Sequence, residues 1–130
     1  MRLLLDTHVW LWWRTTPGRL GRRAHKLVES GKTELFLSAA SAWEIAIKAK
    51  RGSVRLPEPV DQWLRSRLIA DRIRELPVTV QHAAHTITLP ELHRDPFDRL
   101  LIAQAHCEGL TLLTADEDIL KYGSQVMDAR

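Results

Sequence analysis

The sequence has a single cysteine, Cys107, so no intrachain disulfide can staple the chain and no CxxC pair can hold zinc. That scarcity fits a reducing compartment, and a cytoplasmic location is the expectation. Long apolar runs are missing as well. Nothing approaches the ~18 to 20 residues of a membrane span, and the first stretch, LLLDTHVWLWW, is interrupted by Asp6 and His8. It also lacks the small-residue cleavage pattern of a signal peptide, so no membrane partner is expected. There is no Gly-rich phosphate loop, no GxSxG elbow and no persuasive Cys/His pair, which sets aside nucleotide-dependent and acyl-transfer enzymes. Repeats, low-complexity tracts and linkers are absent too. The 130 residues, 45% apolar, therefore read as one domain spanning 1–130, large enough for a real core.

Net charge is also small, at +3, but its distribution is uneven. Residues 1–55 carry eleven basic side chains against four acidic ones, and residues 56–130 carry eight against twelve. A basic half hints at a polyanionic ligand, against the plainer alternative of solvated charge.

Four short runs, RLLL (2–5), TELFL (33–37), IREL (73–76) and LTLLT (110–114), are leucine-rich or β-branched, with a weaker fifth around Val126 and Met127. Such runs predict strands buried on both faces, the habit of a parallel sheet covered by helices. Between them, Leu20, Ala24, Leu27 and Val28 make one helical stripe closed by Gly31 as a C-terminal cap. Trp43, Ala46 and Ile47 make a second stripe ending near Gly52. Val60, Trp63, Leu64 and Leu68 make a third, with Asp61, Arg65 and Arg67 outward. A short helix is expected over 81–88, and the longest over 96–108, with Pro96 at its first position and Gly109 just past its end. Alternating strands and helices predict an α/β domain.

Each acidic residue has a local explanation. Asp6 is placed to cap a helix starting near His8, and Ser41 with Glu44 has the spacing of a capping box. Asp95 can cap the helix begun by Pro96, with Asp98 completing the box, and Asp116 can cap the last short helix. Together they suggest more. Asp6, Glu44 and Asp116 each follow a strand closely, and Asp98 heads the helix leading into the fourth. In a parallel α/β sheet that is where ligands bind. Carboxylates crowded at one edge repel each other and raise each other's pKa unless a cation neutralises them. All-oxygen ligands favour a hard ion, Mg²⁺ or Mn²⁺, commonly shared with phosphate groups, and such an ion suits phosphodiester hydrolysis.

LLLDTHVWLWW, SAASAWEIAIKAKRG, HRDPFDRLLIAQA and LLTADEDIL resemble, in order and spacing, the acidic motifs of the PIN-domain family, and most closely those of VapC-type ribonuclease toxins of bacterial toxin–antitoxin modules. The resemblance runs to about Tyr122. It implies a three-layer α/β/α sandwich with a short, mostly parallel sheet of four to five strands, an acidic pocket for Mg²⁺ or Mn²⁺, and endonucleolytic cleavage of RNA. By position, Asp6, Glu44, Asp98 and Asp116 match the four acids, as catalytic and metal-binding residues. Asp95 is an additional acid, and Thr7 and Thr114 are hydroxyl partners behind the ligands. The implied partners are an RNA substrate, a cognate VapB-type antitoxin and a second copy in a homodimer. Two alternatives differ in class or context: a PIN-like nuclease of RNA processing without an antitoxin, and a non-catalytic PIN-like domain that binds protein.

Other clusters carry less. Trp10, Trp12 and Trp13 suit packing, a dimer interface or an antitoxin groove better than base stacking. Arg14, Arg19, Arg22, Arg23 and Lys26, with Lys48, Lys50 and Arg51, are candidates to hold an RNA backbone. His82 and His85 share a helical face but have no third ligand at zinc spacing, and His93 reads as a loop histidine near the acidic edge.

Overall fold

Leu3, Leu4 and Leu5 are all fully buried, because their strand is the middle of a sheet with helices on both sides. The computed structural model describes residues 1–93 and 95–130. Its strands β1 (Arg2–Leu5), β2 (Glu34–Ser38), β3 (Ile73–Leu76), β4 (Thr111–Thr114) and β5 (Val126–Asp128) form one sheet in the order β3-β2-β1-β4-β5. Every pairing is parallel, in keeping with the buried runs of β1, β2 and β4; β3 corrects the expectation of burial on both faces, because as an edge strand it buries Ile73 and Leu76 and leaves Arg74 and Glu75 exposed. Helices α1 (Thr7–Thr15), α2 (Arg22–Glu29), α3 (Ala39–Lys50), α4 (Val60–Ala70), α5 (Val80–His85), α6 (Pro96–Glu108) and α7 (Glu117–Leu120) link them, with 3₁₀ turns at Pro17–Arg19 and Thr86–Thr88.

Alternation along β1 divides the core into two. Leu3 and Leu5, with Leu35, Leu37, Ile73 and Leu113, pack under Val9, Trp10, Trp13, Val28, Ile45 and Trp63 from α1 to α4. Leu4, with Phe36 and Leu112, faces the opposite side and meets Leu101, Ile102 and Ala105 of α6 and Ile119 of α7. The result is the expected three-layer α/β/α sandwich. No helix among the described residues is long and apolar enough to cross a membrane.

Local chemistry sets the element ends. Asp95 accepts hydrogen bonds from the backbone N–H groups of Phe97 and Asp98, Pro96 supplies the first turn, and Gly109 ends α6 in a left-handed conformation at φ 66°, where a side chain would be strained. Several expectations need correction. Gly31 does not cap α2, which ends one residue earlier at Ser30 with extended backbone. The helix expected over 81–88 is a short α5 followed by a 3₁₀ turn. Trp43 is 64% exposed, so the inward face of α3 runs through Ala40, Ser41 and Ile45 instead. Arg67 turns inward to Asp71 rather than outward.

The Asp71 carboxylate is the polar centre of the first core. It accepts from Trp10 Nε1 at 2.9 Å and from Arg67 Nη2 at 2.8 Å, with Arg14 Nε at 3.2 Å as a charge contact. A buried carboxylate is tolerated because all these partners are present.

Candidate active site

β1 and β4 are neighbours, although β2 to β3 lie on one side of β1 and β4 to β5 on the other. Strand order thus reverses between them, and ligand sites of parallel sheets form at such a switch, beyond the carboxyl ends of the strands. Asp6 directly follows β1 and Asp116 follows β4 by two residues. Glu44 comes from α3 behind β2, and Asp98 from the first turn of α6.

Asp6 is only 3% exposed and sits at the N-cap position of α1, yet its side chain makes no capping hydrogen bond. That corrects the capping expectation. Thr114 Oγ1 instead donates to Asp6 Oδ2 at 2.7 Å while accepting from the Asp116 backbone N–H at 3.1 Å. One buried hydroxyl thereby fixes two of the acids. Burial raises the Asp6 pKa, the nearby Glu44 charge raises it further, and the Thr114 hydrogen bond and His8 oppose the rise.

Ser41 and Glu44 do not form a capping box either, because α3 begins earlier, at Ala39, with Ser38 accepting from Ala40 N–H. Glu44 therefore lies in the helix interior, half-buried, and its Oε2 lies 3.2 Å from Lys48 Nζ one turn on. The same ammonium is 3.2 Å from His8 Nε2. Of the proposed backbone-binding cations, Lys48 thus stands beside the acids, whereas Arg14 is committed to Asp71 and Arg19 lies over Trp12. Trp10 and Trp13 are buried, in agreement with packing.

Asp98 shares the edge with the others, and its pKa is pushed up from the ordinary 3.8 to about 7. Burial is the first cause, followed by the charges of Asp6 and Asp95, with Asp116 adding and His93 opposing. Asp95 caps α6 as expected. Asp98 does not complete that cap: the Asp95 N–H goes to His93 Nδ1 at 3.1 Å, which leaves the ring proton on Nε2. His93 Nε2 in turn faces Asp98 Oδ2 at 2.9 Å and Asp116 Oδ2 at 3.4 Å.

His93, read from the sequence as a loop histidine near the acidic edge, lies against two of the acids themselves. Among the described residues, His93, Asp98 and Asp116 are the group of three potential ligands whose atoms lie within 4.8 Å of one another. The loop bearing His93 is pinned by Arg99, which donates to the carbonyls of Thr86, Pro90 and His93, and by Tyr122, whose hydroxyl donates to Pro90 O at 2.7 Å. His82 is engaged elsewhere: its Nδ1 accepts from the Thr79 backbone N–H to complete the capping box of α5 and its Nε2 lies 2.8 Å from Glu108 Oε2.

The donors at this edge fit a hard divalent cation. Apart from the His93 ring nitrogen they are carboxylate oxygens, and two of the carboxyls are held above their ordinary pKa by burial and mutual repulsion, so positive charge placed among them relieves both. The wholly buried Thr7 Oγ1, adjacent to Asp6, has no hydrogen-bond partner among the described residues and is available to orient a ligand or its water.

The PIN domain family model matches residues 3–124. The ribonuclease VapC22 of Mycobacterium tuberculosis is 36% identical over 115 residues, covering 88% of this chain and 86% of that protein. Among solved structures, VapBC2 from Rickettsia felis bound to a DNA fragment from their promoter superposes with a TM-score of 0.73 at 15% identity, covering all of both chains. A toxin–antitoxin complex from Klebsiella pneumoniae gives 0.69 at 19% identity, covering 98% of each chain. At such identities the structural likenesses establish the fold.

Proposed function

The chain belongs to the PIN-domain family and is of the VapC type, and from that premise we propose that it is a divalent-metal-dependent endoribonuclease acting as the toxin of a toxin–antitoxin pair. The observation that carries the reading is the gathering of Asp6, Glu44, Asp98 and Asp116 at one sheet edge, with Thr114 on Asp6 and His93 on Asp98 and Asp116, where burial and the neighbouring carboxylates push the Asp98 pKa up to about 7. Helix capping alone gives no reason to bury Asp6 against Thr114 beside the charges of Glu44 and Asp98.

Asp6 and Asp98 would hold Mg²⁺ or Mn²⁺ most directly, with Glu44 and Asp116 ligating or holding its water. When bound, the ion supplies Lewis-acid activation of water and neutralises charge developing on the phosphate. The protein's part is positional. Thr114 fixes the direction of the Asp6 carboxylate, and Asp95 keeps Asp98 at the head of α6, where the helix N-terminus favours negative charge by about 0.3–1 kcal/mol. Lys48 holds Glu44 and brings a positive charge to the edge that a phosphate must approach. His93 orients Asp98 and Asp116.

Residues 1–130 would work as one domain, in the cytoplasm, as a homodimer bound by a VapB-type antitoxin until released. The similar solved structures are toxin–antitoxin and VapBC complexes, which supports the antitoxin partner. Purified protein incubated with cellular RNA and Mn²⁺ should cleave it, EDTA should stop the reaction, and Asp6→Asn should abolish it with the circular dichroism spectrum unchanged. Undiminished cleavage by Asp6→Asn would remove the assignment. Growth arrest on expression, relieved by a small upstream reading frame, tests the toxin role.

A further inference from the structure

Trp43 is the one aromatic ring among the strongly exposed large apolar side chains described. It stands 5.4 Å, centroid to centroid, from Phe97, with the rings tilted by 60°. Between α3 and α6 the two rings wall a cleft of about 250 Å³ completed by Ala40, Pro96 and Leu100. Apart from the indole N–H of Trp43, none of these side chains can donate or accept a hydrogen bond.

The position of the cleft says what it fits. Trp43 immediately precedes Glu44 on α3, and Phe97 immediately precedes Asp98 on α6. The carboxylate edge and the aromatic cleft are thus built on the same two helices, on faces about 100° apart around each axis, so the cleft flanks the acids. A phosphate at the acids would carry its own or the neighbouring base to this cleft. Lys48, one turn beyond Glu44, gives the approach the positive charge a polyanionic strand needs.

We propose that the Trp43–Phe97 cleft is a stacking subsite for one unpaired base of the RNA, adjacent to the scissile step. The proposal rests on the ribonuclease reading and adds to it a named subsite, the Trp43–Phe97 cleft, that holds one base beside the acids. An apolar cleft offers faces for stacking and almost nothing for a base's polar edge, so it selects for an exposed base without reading its identity. A base inside a duplex has its faces covered and cannot enter.

The test uses the full chain carrying Asp98→Asn, in EDTA, titrated with a labelled single-stranded oligoadenylate, the same sequence in a duplex, and an abasic ribose-phosphate oligomer of equal length. Oligoadenylate should quench tryptophan fluorescence. Adding Trp43→Ala should weaken its binding by about 5- to 150-fold, the range for base–aromatic stacking, whereas Trp43→Phe should stay within a few-fold of the parent. Affinity for the abasic oligomer should be unchanged by Trp43→Ala, and the duplex should bind no better than the abasic strand. Equal oligoadenylate affinity with and without the indole overturns the proposal, as does an equal loss on the abasic oligomer. Should Trp43→Ala instead turn a dimer into a monomer with RNA affinity intact, the cleft is a contact between copies and the proposal falls. If the Asp98→Asn protein binds no RNA and the wild type with Mn²⁺ cleaves none, the ribonuclease reading fails with it.

Discussion

Replacing Asp98 by asparagine should make the metal-free protein more stable. Asp98 keeps its proton in the fold up to about pH 7, against an ordinary 3.8. A carboxyl whose folded pKa is raised stabilises the fold at low pH, and that contribution is lost as pH climbs from the unfolded value through the folded one. Three pH units at about 1.4 kcal/mol each set a ceiling of roughly 4 kcal/mol. The group is partly open to solvent, which screens its neighbours' charges, so about 2 kcal/mol is the working figure. Asparagine has nearly the same shape, its carbonyl still accepts from His93 Nε2, and it carries no charge at any pH. In EDTA the variant and the wild type should therefore be similar near pH 4 and diverge through pH 7. At pH 8 the gap should be about 7 °C in Tm, taking unfolding entropy at ~2.1 cal/mol/K per residue. Saturating Mn²⁺ should reverse the order, because a ligand at 100 times its Kd stabilises the wild type by about 2.7 kcal/mol and the variant has lost a ligand. Differential scanning calorimetry across pH, with EDTA and with Mn²⁺, measures all of this. A variant no more stable than wild type at pH 8 in EDTA, or a gap of the same size at every pH, refutes the reasoning.

Thr114→Val removes the donor to Asp6 and the acceptor for Asp116 N–H. It should cost about 1–3 kcal/mol and weaken Mn²⁺ binding by about 10- to 100-fold, as isothermal titration would read, while Thr114→Ser largely restores both. Asp71→Asn leaves Arg14 and Arg67 short of their counter-charge and should lose about 3 kcal/mol in urea unfolding; cleavage per folded molecule should be unchanged, since Asp71 lies outside the acidic edge. Gly21→Ala would press a Cβ into the backbone carbonyl of Arg130, where the chain has no flexible side chain to yield. Loss of the Gly21 N–H to Ala129 O bond and about 1–3 kcal/mol should follow, with faster hydrogen exchange at the Gly21 amide.

The central strands were legible because burial on both faces writes an uninterrupted apolar run, as at Leu3 to Leu5; the edge strand β3, with Arg74 and Glu75 exposed, writes a weaker one. The α6 helix was legible at both ends because Pro96 and Gly109 each solve a backbone problem that few residues can. The gathering of Asp6, Glu44, Asp98 and Asp116 at one edge followed from parallel topology. Misreadings arose where a local rule competed with tertiary demand. Ser41 and Glu44 have capping-box spacing, but Ser38 at the strand end takes the cap three residues earlier. Trp43 continues an apolar stripe by period, yet Ala40 and Ile45 already fill the space inside. His93 carries no spacing signal, since its place beside Asp98 depends on carbonyls of its own loop held by Arg99.

The Thr114–Asp6 hydrogen bond also bears on how the sheet finds its alignment. Leu3, Leu4 and Leu5 run beside Thr111, Leu112 and Leu113, and leucines buried on both faces are nearly interchangeable, so a one-residue slip would cost the apolar contacts little. It would, however, set the Asp6 carboxylate against a leucine and leave the threonine hydroxyl unpaired, each at the price of an unmet buried polar group. The chemistry at the strand ends thereby acts as the fiducial mark of the fold. Variants that weaken it should populate misaligned β1–β4 pairings, visible as slow refolding phases or heterogeneous amide spectra.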